Sequence, residues 1–171
     1  MSVGRGGPGD GGEGALEIRP LAGRDEAGEC ARMMAASEPW ITLRRDRAAA
    51  LAVLTDPQRE TYGAFRDGRL AGFVVLVMRG AFIGYIQSVC VAPGLRGQGI
   101  GGRLMRFAEE RILRETPNVF LCVSSFNPDA RRLYERLGYE VVGELRDYIV
   151  AGHAEILMRK STGPLTQFRP G

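Results

Sequence analysis

The chain has 171 residues and carries 23 Lys and Arg against 20 Asp and Glu, a formal charge of +3. That length suits one domain able to bury its own core, and basic residues dispersed along the chain, without aromatics between them, speak against a nucleic-acid partner. No apolar run reaches the length of a membrane span, and Cys30, Cys90 and Cys122, each in an apolar segment without metal-ligand spacing, read as reduced core thiols of a cytoplasmic protein that holds no metal.

Residues 1–14 alternate Gly with small and charged residues, a composition expected to form a disordered tail and lacking the apolar core of a secretion signal. A strand is expected over 15–20, closed by Pro20. A helix over 25–37 would place Ala27, Cys30, Ala31 and Met34 on one face; residues 37–42 break it, and a second helix over 44–54 stops before Pro57. Strands over 60–66, 70–78 and 82–91 follow, the first two joined by the turn Asp67-Gly68. The third runs into Pro93-Gly94 and a glycine loop. An amphipathic helix then begins near Gly99, with Ile100, Leu104, Phe107, Ala108 and Ile112 toward the sheet. After a short buried strand over 119–123, Asn127 caps a helix whose first position is Pro128. Ala130, Leu133, Tyr134 and Leu137 share its stripe, and Gly138 closes it. Strands over 139–145 and 153–158 form a hairpin, and residues 162–171 are expected to be an unstructured tail. The order β-α-α-β-β-β-α-β-α-β-β defines one domain over 15–161, of the α/β (α+β) class. It implies a mixed central sheet of about seven strands with helices on both faces.

The glycine loop is the chemical signal. Glycines 97, 99, 101 and 102 lack the Cβ atoms that would hold a ligand off the backbone, so successive amides at a helix start can converge on an anion. Arg96 adds a full positive charge. A Walker loop is excluded because no lysine stands near the turn. Gly97-x-Gly99-x-x-Gly102 fits the Rossmann dinucleotide fingerprint, but the following strand ends in Ser124-Ser125 rather than a ribose-binding carboxylate. Arg96-x-x-Gly99-x-Gly101 resembles the acetyl-CoA loop of the GNAT superfamily of N-acetyltransferases. Downstream, Asn127-x-x-Ala130-x-x-Leu133-Tyr134-x-x-x-Gly138-Tyr139 is similar to a later motif of the same family.

The resemblance implies a GNAT-like acyl-CoA N-acyltransferase fold over about residues 15–160. It implies acetyl transfer from acetyl-CoA to a primary amine of a small molecule or of a protein N-terminus or lysine, by direct attack in a ternary complex. Backbone amides of Arg96, Gly97, Gln98, Gly99, Ile100 and Gly101 would hold the pyrophosphate. The strand edge at Val89, Cys90 and Val91 would pair with the pantetheine arm, with the Val89 N–H as oxyanion donor, and Asn127 and Ala130 would flank the cofactor. Tyr134 stands at the family's general-acid tyrosine. A phenol of reference pKa about 10 is protonated at neutral pH and can serve a thiol leaving group near about 8.5; a tyrosine that only packs is the alternative. Where many members carry a glutamate base, this chain has Gln87 and Ser88. The expectation is therefore an ordered water held by Gln87 or Ser88, with Glu38, Glu60, Glu144 and His153 as side-chain alternatives. Glu38, Trp40, Tyr85 and Tyr148 are the expected acceptor contacts. A catalytic thiol at Cys90 or Cys122, a catalytically silent acyl-CoA sensor and a Rossmann-type binder remain as other readings. The family does not fix the acceptor, and the modest number of candidate acidic groups argues against a polycation. A monomer or homodimer is expected.

Overall fold

Local chemistry sets most element boundaries. The computed structural model describes residues 15–170, so the expected tail at 1–14 and the terminal Gly171 lie outside the described residues. Leu16–Pro20 forms β1, and Gly23–Ala35 forms α1. Glu26 fixes the start of α1 by accepting from the Ala22 N–H at 2.6 Å while its carboxylate pairs with Arg19 at 2.7 Å. Arg47–Leu54 forms α2, three residues later than the apolar pattern suggests. Arg44 takes a left-handed φ of 52°, and Asp46 is the N-cap, accepting from the Ala49 N–H at 2.8 Å. Arg59–Arg66 and Arg69–Val77 form β2 and β3. The positive φ of both Asp67 and Gly68 suits a mirror-type hairpin turn between them.

Tyr85–Val91 forms β4, also three residues late. Gly84 has φ of 86°, and a Cβ there would stand 2.6 Å from the Asn118 carbonyl oxygen, so the chain bends before the strand starts. Phe82 is left at the surface, edge-on to Phe120. A 3-10 turn at Pro93–Leu95 leads through the glycine loop into α3, Ile100–Ile112. Asn118–Ser124 forms β5 and Pro128–Arg136 forms α4; Glu140–Arg146 and Ala154–Ser161 form β6 and β7. The final segment departs from the unstructured tail expected at 162–171. The Thr162 N–H donates to the Pro117 carbonyl at 2.9 Å, and Leu165–Gln167 makes one more 3-10 turn.

All seven strands join one sheet in the order β1-β2-β3-β4-β5-β7-β6. Only β4 and β5 run parallel, and they pair only at Tyr85↔Phe120 and Ile86↔Leu121. Helices cover both faces. Phe73, Val75 and Cys90 pack with Ala27, Cys30, Ala31 and Met34 of α1 and Ala50 and Leu54 of α2. On the other face Val74, Leu76, Leu121 and Met158 pack under Leu104, Met105 and Ala108 of α3, with Ala130, Tyr134 and Leu137 of α4 against the same layer. Strand β3, covered on both sides, accordingly reads as a continuous apolar run rather than an alternation. The seven-stranded mixed sheet and its element order are those expected from the sequence.

Candidate active site

The site begins where β4 and β5 part. The β4 register slips from Val75↔Ser88 to Leu76↔Ile86, which leaves Gln87 as a bulge residue without a cross-strand partner. Beyond it, Ala92 donates to the Ala71 carbonyl at 2.9 Å, and Cys90 faces Phe73 in the same register. Alternation therefore commits the main chain of Cys90 and Ala92 to β3 and turns the N–H and C=O groups of Val89 and Val91 toward the gap. Because β5 pairs with β4 only at the far end, that edge is open.

A cavity of about 840 Å³ occupies the gap and the space beside it. Tyr85, Gln87, Ser88 and Val89 form its β4 wall, and Asn127, Ala130 and Tyr134 line it from the α4 side. Trp40 and Glu38, between α1 and α2, and Tyr148 and Ile149, between β6 and β7, close the other end. The buried Oε1 of Gln87 has no hydrogen-bond partner. Tyr134 has its phenol pushed up to about 12 by burial alone. Asn127 uses its side-chain oxygen to cap α4, accepting from the Ala130 N–H at 3.2 Å; Pro128 follows at the first helical position.

The glycine loop lies at the end of β4. Gly97 and Gly99 both have φ of 77°, a left-handed conformation that disfavours a side chain, and a Cβ built at either meets nothing within 4 Å. Among the described residues, the amides from Gly97 to Gly102 find no acceptor in the chain, and Arg103 is the first satisfied, by the Gly99 carbonyl at 3.1 Å. Ile100 is buried and anchors the loop to the core. Arg96 folds back: its guanidinium lies 3.4 Å from the Val91 carbonyl and 3.4 Å from Ser37 Oγ, tying the loop to the end of α1. Gln98 accepts from Arg66 at 2.7 Å. Unpaired amides at a helix start, with open space before them, fit a pyrophosphate.

Other residues singled out in the sequence lie elsewhere. Glu60 is held by Arg111 at 2.7 and 2.9 Å and by the Tyr62 hydroxyl at 2.8 Å, on β2 and away from the cavity. Glu144 sits on the exposed edge strand β6, 3.5 Å from Arg146. His153 stacks edge-on against Phe126 and is not part of the cavity wall. Burial pushes the thiols of Cys30, Cys90 and Cys122 up, Cys30 to about 12, which keeps all three protonated at neutral pH. No group of three or more His, Cys, Asp or Glu among the described residues is placed to hold a metal ion.

Sequence reasoning missed Glu155. It lies on β7 opposite Ser124 and lines the cavity; Ser124 Oγ donates to its Oε1 at 2.6 Å, and both side chains are buried. Burial raises its carboxyl above the ordinary range, partly opposed by the Ser124 hydrogen bond. The available signal was a single carboxylate between Ala154 and the apolar run Ile156-Leu157-Met158, ahead of the charged end of β7 at Arg159-Lys160.

A mixed sheet that parts between two parallel strands, with a loop of unpaired amides at the end of β4 and an aromatic-lined chamber beside it, fits the class of acyl-CoA-dependent transferases. The chain matches the Acetyltransferase (GNAT) family over residues 24–139. It is 30% identical over 152 residues to the N-alpha-acetyltransferase RimI of Mycobacterium tuberculosis, covering 82% of this chain and 89% of that protein. It is 39% identical over 61 residues to the acetyltransferase Atu2258 of Agrobacterium fabrum, covering 36% of this chain but only 44% of that relative. Its fold is similar to that of an aminoglycoside 6'-N-acetyltransferase crystallised with coenzyme A, with a TM-score of 0.69 at 19% identity over 91% of this chain and 99% of that one. The chain belongs to the GNAT acetyltransferase family.

Proposed function

We propose that this chain transfers the acetyl group of acetyl-CoA to a primary amine by direct attack in a ternary complex. The observation that carries this reading is the open edge of β4, where the Val89 and Val91 main chain faces a gap that ends in the unpaired amides of residues 97–102. Acetyl-CoA, when bound, supplies the acetyl group as a thioester. The amides from Gly97 to Gly102 hold the pyrophosphate, without the expected Arg96 amide, which donates to the Pro93 carbonyl at 3.5 Å, and Val89 and Val91 align the pantetheine arm as an added strand. The Val89 N–H stands ready for the developing oxyanion. Tyr134 stays protonated at working pH and donates toward the departing sulfur. Gln87, bulged into the cavity wall with its oxygen unpartnered, holds a water on the acceptor side.

The acceptor is a monoamine with an apolar body, from a small molecule or a peptide N-terminus. Trp40, Tyr148 and Ile149 offer apolar surface, while the charged lining comprises Glu38 and Glu155 against Arg45 and Arg79. That balance lacks the acidic excess a polycation would need. The thiols of Cys30 and Cys90, free and buried, support a reducing, cytoplasmic setting, and residues 15–161 are read as one catalytic domain acting as a monomer or homodimer without nucleic acid or membrane partners. No helix among the described residues is long and apolar enough to cross a membrane.

Calorimetry with acetyl-CoA, NAD and NADP tests the donor: acetyl-CoA is expected to bind, and dinucleotide binding without it overturns the reading. Thiol release over a panel of amino acids, peptides, polyamines and aminoglycosides tests the acceptor. Turnover far above acetyl-CoA hydrolysis with a monoamine is expected, whereas binding without turnover on any amine marks a silent acyl-CoA sensor.

A further inference from the structure

We infer that Glu155, held by Ser124 in the wall of the cavity, is the acceptor-amine site: its carboxylate pairs with the substrate ammonium and takes the proton that must leave before attack. The inference deepens the acetyltransferase reading and rests on it.

Two glutamates are buried among the described residues, and they differ in their partners. Glu109, 7% exposed, meets the Lys160 ammonium at 2.7 Å. Glu155, 5% exposed, forms no ion pair among the described residues and has there only the Ser124 hydroxyl, on one of its two oxygens. A buried carboxylate without a cation is costly to keep charged. Here it faces a chamber large enough for a ligand, so an incoming ammonium would complete the pair. The half-buried carboxylates tell the same story by contrast, because Glu26 is already bound to Arg19 and Glu60 to Arg111.

The surroundings fit proton transfer. Cys122 of β5 and Tyr85 of β4 lie beside Ser124 and Glu155 on the same face of the sheet, close enough that Glu155 acts on both. Tyr148 of the β6–β7 turn approaches Tyr85 as well, and His153 precedes Glu155 by two residues but stacks on Phe126. Opposite Glu155 on β6 stands the apolar Leu145. Across the cavity the charged groups are Glu38, Arg45 and Arg79, all exposed. Burial keeps Tyr85 and Cys122 protonated, so Glu155 is the base among these inner groups, and desolvation strengthens it.

The step balances as follows. R-NH3+ gives one proton to the Glu155 carboxylate, and the freed nitrogen pair forms the C–N bond with the thioester carbonyl. The C–S bond then breaks; the second ammonium proton compensates the one that Tyr134 supplies to the thiolate, and Glu155 returns its proton to solvent. The products are the amide, CoA thiol and one released proton.

The test uses full-length protein, acetyl-CoA and 2-phenylethylamine, with thiol release followed from about pH 5 to about pH 10, between reference carboxylate and amine values. Glu155→Gln should lower kcat by about 10²-fold and abolish the rising acid limb of kcat/KM, with acetyl-CoA affinity unchanged. Ser124→Ala removes a hydrogen bond to the charged form and should move that limb to higher pH. A limb that survives in Glu155→Gln, vanishes instead in Glu38→Gln, or stays fixed in Ser124→Ala overturns the inference. A second readout needs no turnover: the carboxyl 13C resonance of Glu155, assigned by its loss in Glu155→Gln, should shift when 2-phenylethylamine is added, and an unmoved resonance overturns the assignment. Failure of the wild type to bind acetyl-CoA would sink the parent reading alone, since the resonance would still report the amine.

Discussion

The two ends of the cavity are built on different plans. The proposed donor end is main chain: the open edge of β4 and the amides of 97–102 come from one continuous stretch, Val89 to Gly102, whose side chains matter chiefly by their absence. The proposed acceptor end is side chain: Trp40, Tyr85, Tyr148 and Glu155 line it from the α1–α2 segment, β4, the β6–β7 turn and β7. A backbone site can serve every amine chemistry unchanged, while a side-chain site can be rewritten one residue at a time without disturbing the donor.

Tyr134 lies where the two ends meet, and its substitution should have the largest effect. Tyr134→Phe removes only a hydroxyl and should lower kcat by about 10² to 10⁴, with acetyl-CoA affinity held within a few-fold; stopped-flow thiol release and calorimetry measure the two. A smaller loss would leave Tyr134 a packing residue. The same side chain sets a pH expectation. A phenol pushed up to about 12 keeps its donor form until well past its ordinary titration, so kcat should show no falling limb from Tyr134 below about pH 11. A limb near the reference value of about 10 that disappears in Tyr134→Phe would contradict this.

Gly99→Asp tests the donor end alone. It adds left-handed strain of about 1 kcal/mol, places a side chain in the open space before the loop, and sets a negative charge at a helix start meant for phosphate. Acetyl-CoA affinity should fall by about 10²-fold or more, with the circular dichroism spectrum unchanged. Trp40→Ala tests the acceptor end and should have the smallest effect, raising the amine KM by about 10-fold through lost apolar contact while acetyl-CoA affinity stays put. If Trp40→Ala weakens acetyl-CoA as much as the amine, the division between the ends is not real.

The same division explains what was legible. The glycine loop and the helix it opens could be read because glycines at fixed spacing, a helix start and a strand end are all local in sequence, as were the Asn127 cap and the Pro128 that follows it. The starts of α2 and β4 were misplaced by three residues because apolar periodicity ran past the points where Arg44 and Gly84 turn the chain. Glu155 was invisible for a different reason. Its meaning depends on Ser124, thirty-one positions earlier, standing opposite it, and nothing local predicts that pairing. Glu60 looked available for the converse reason, since only the fold brings Arg111 to it.

The brief meeting of β4 and β5 also bears on how the molecule comes apart. Two register pairs join a four-stranded block to a three-stranded one, and the blocks share a continuous core only on the face under α3. A pantetheine arm lying between them would act as a surrogate strand, so the liganded protein should melt as one cooperative unit at a temperature that rises with donor concentration. Without it, amides of Asn118–Ser124 should exchange with solvent through an opening of the smaller block that leaves the larger one folded.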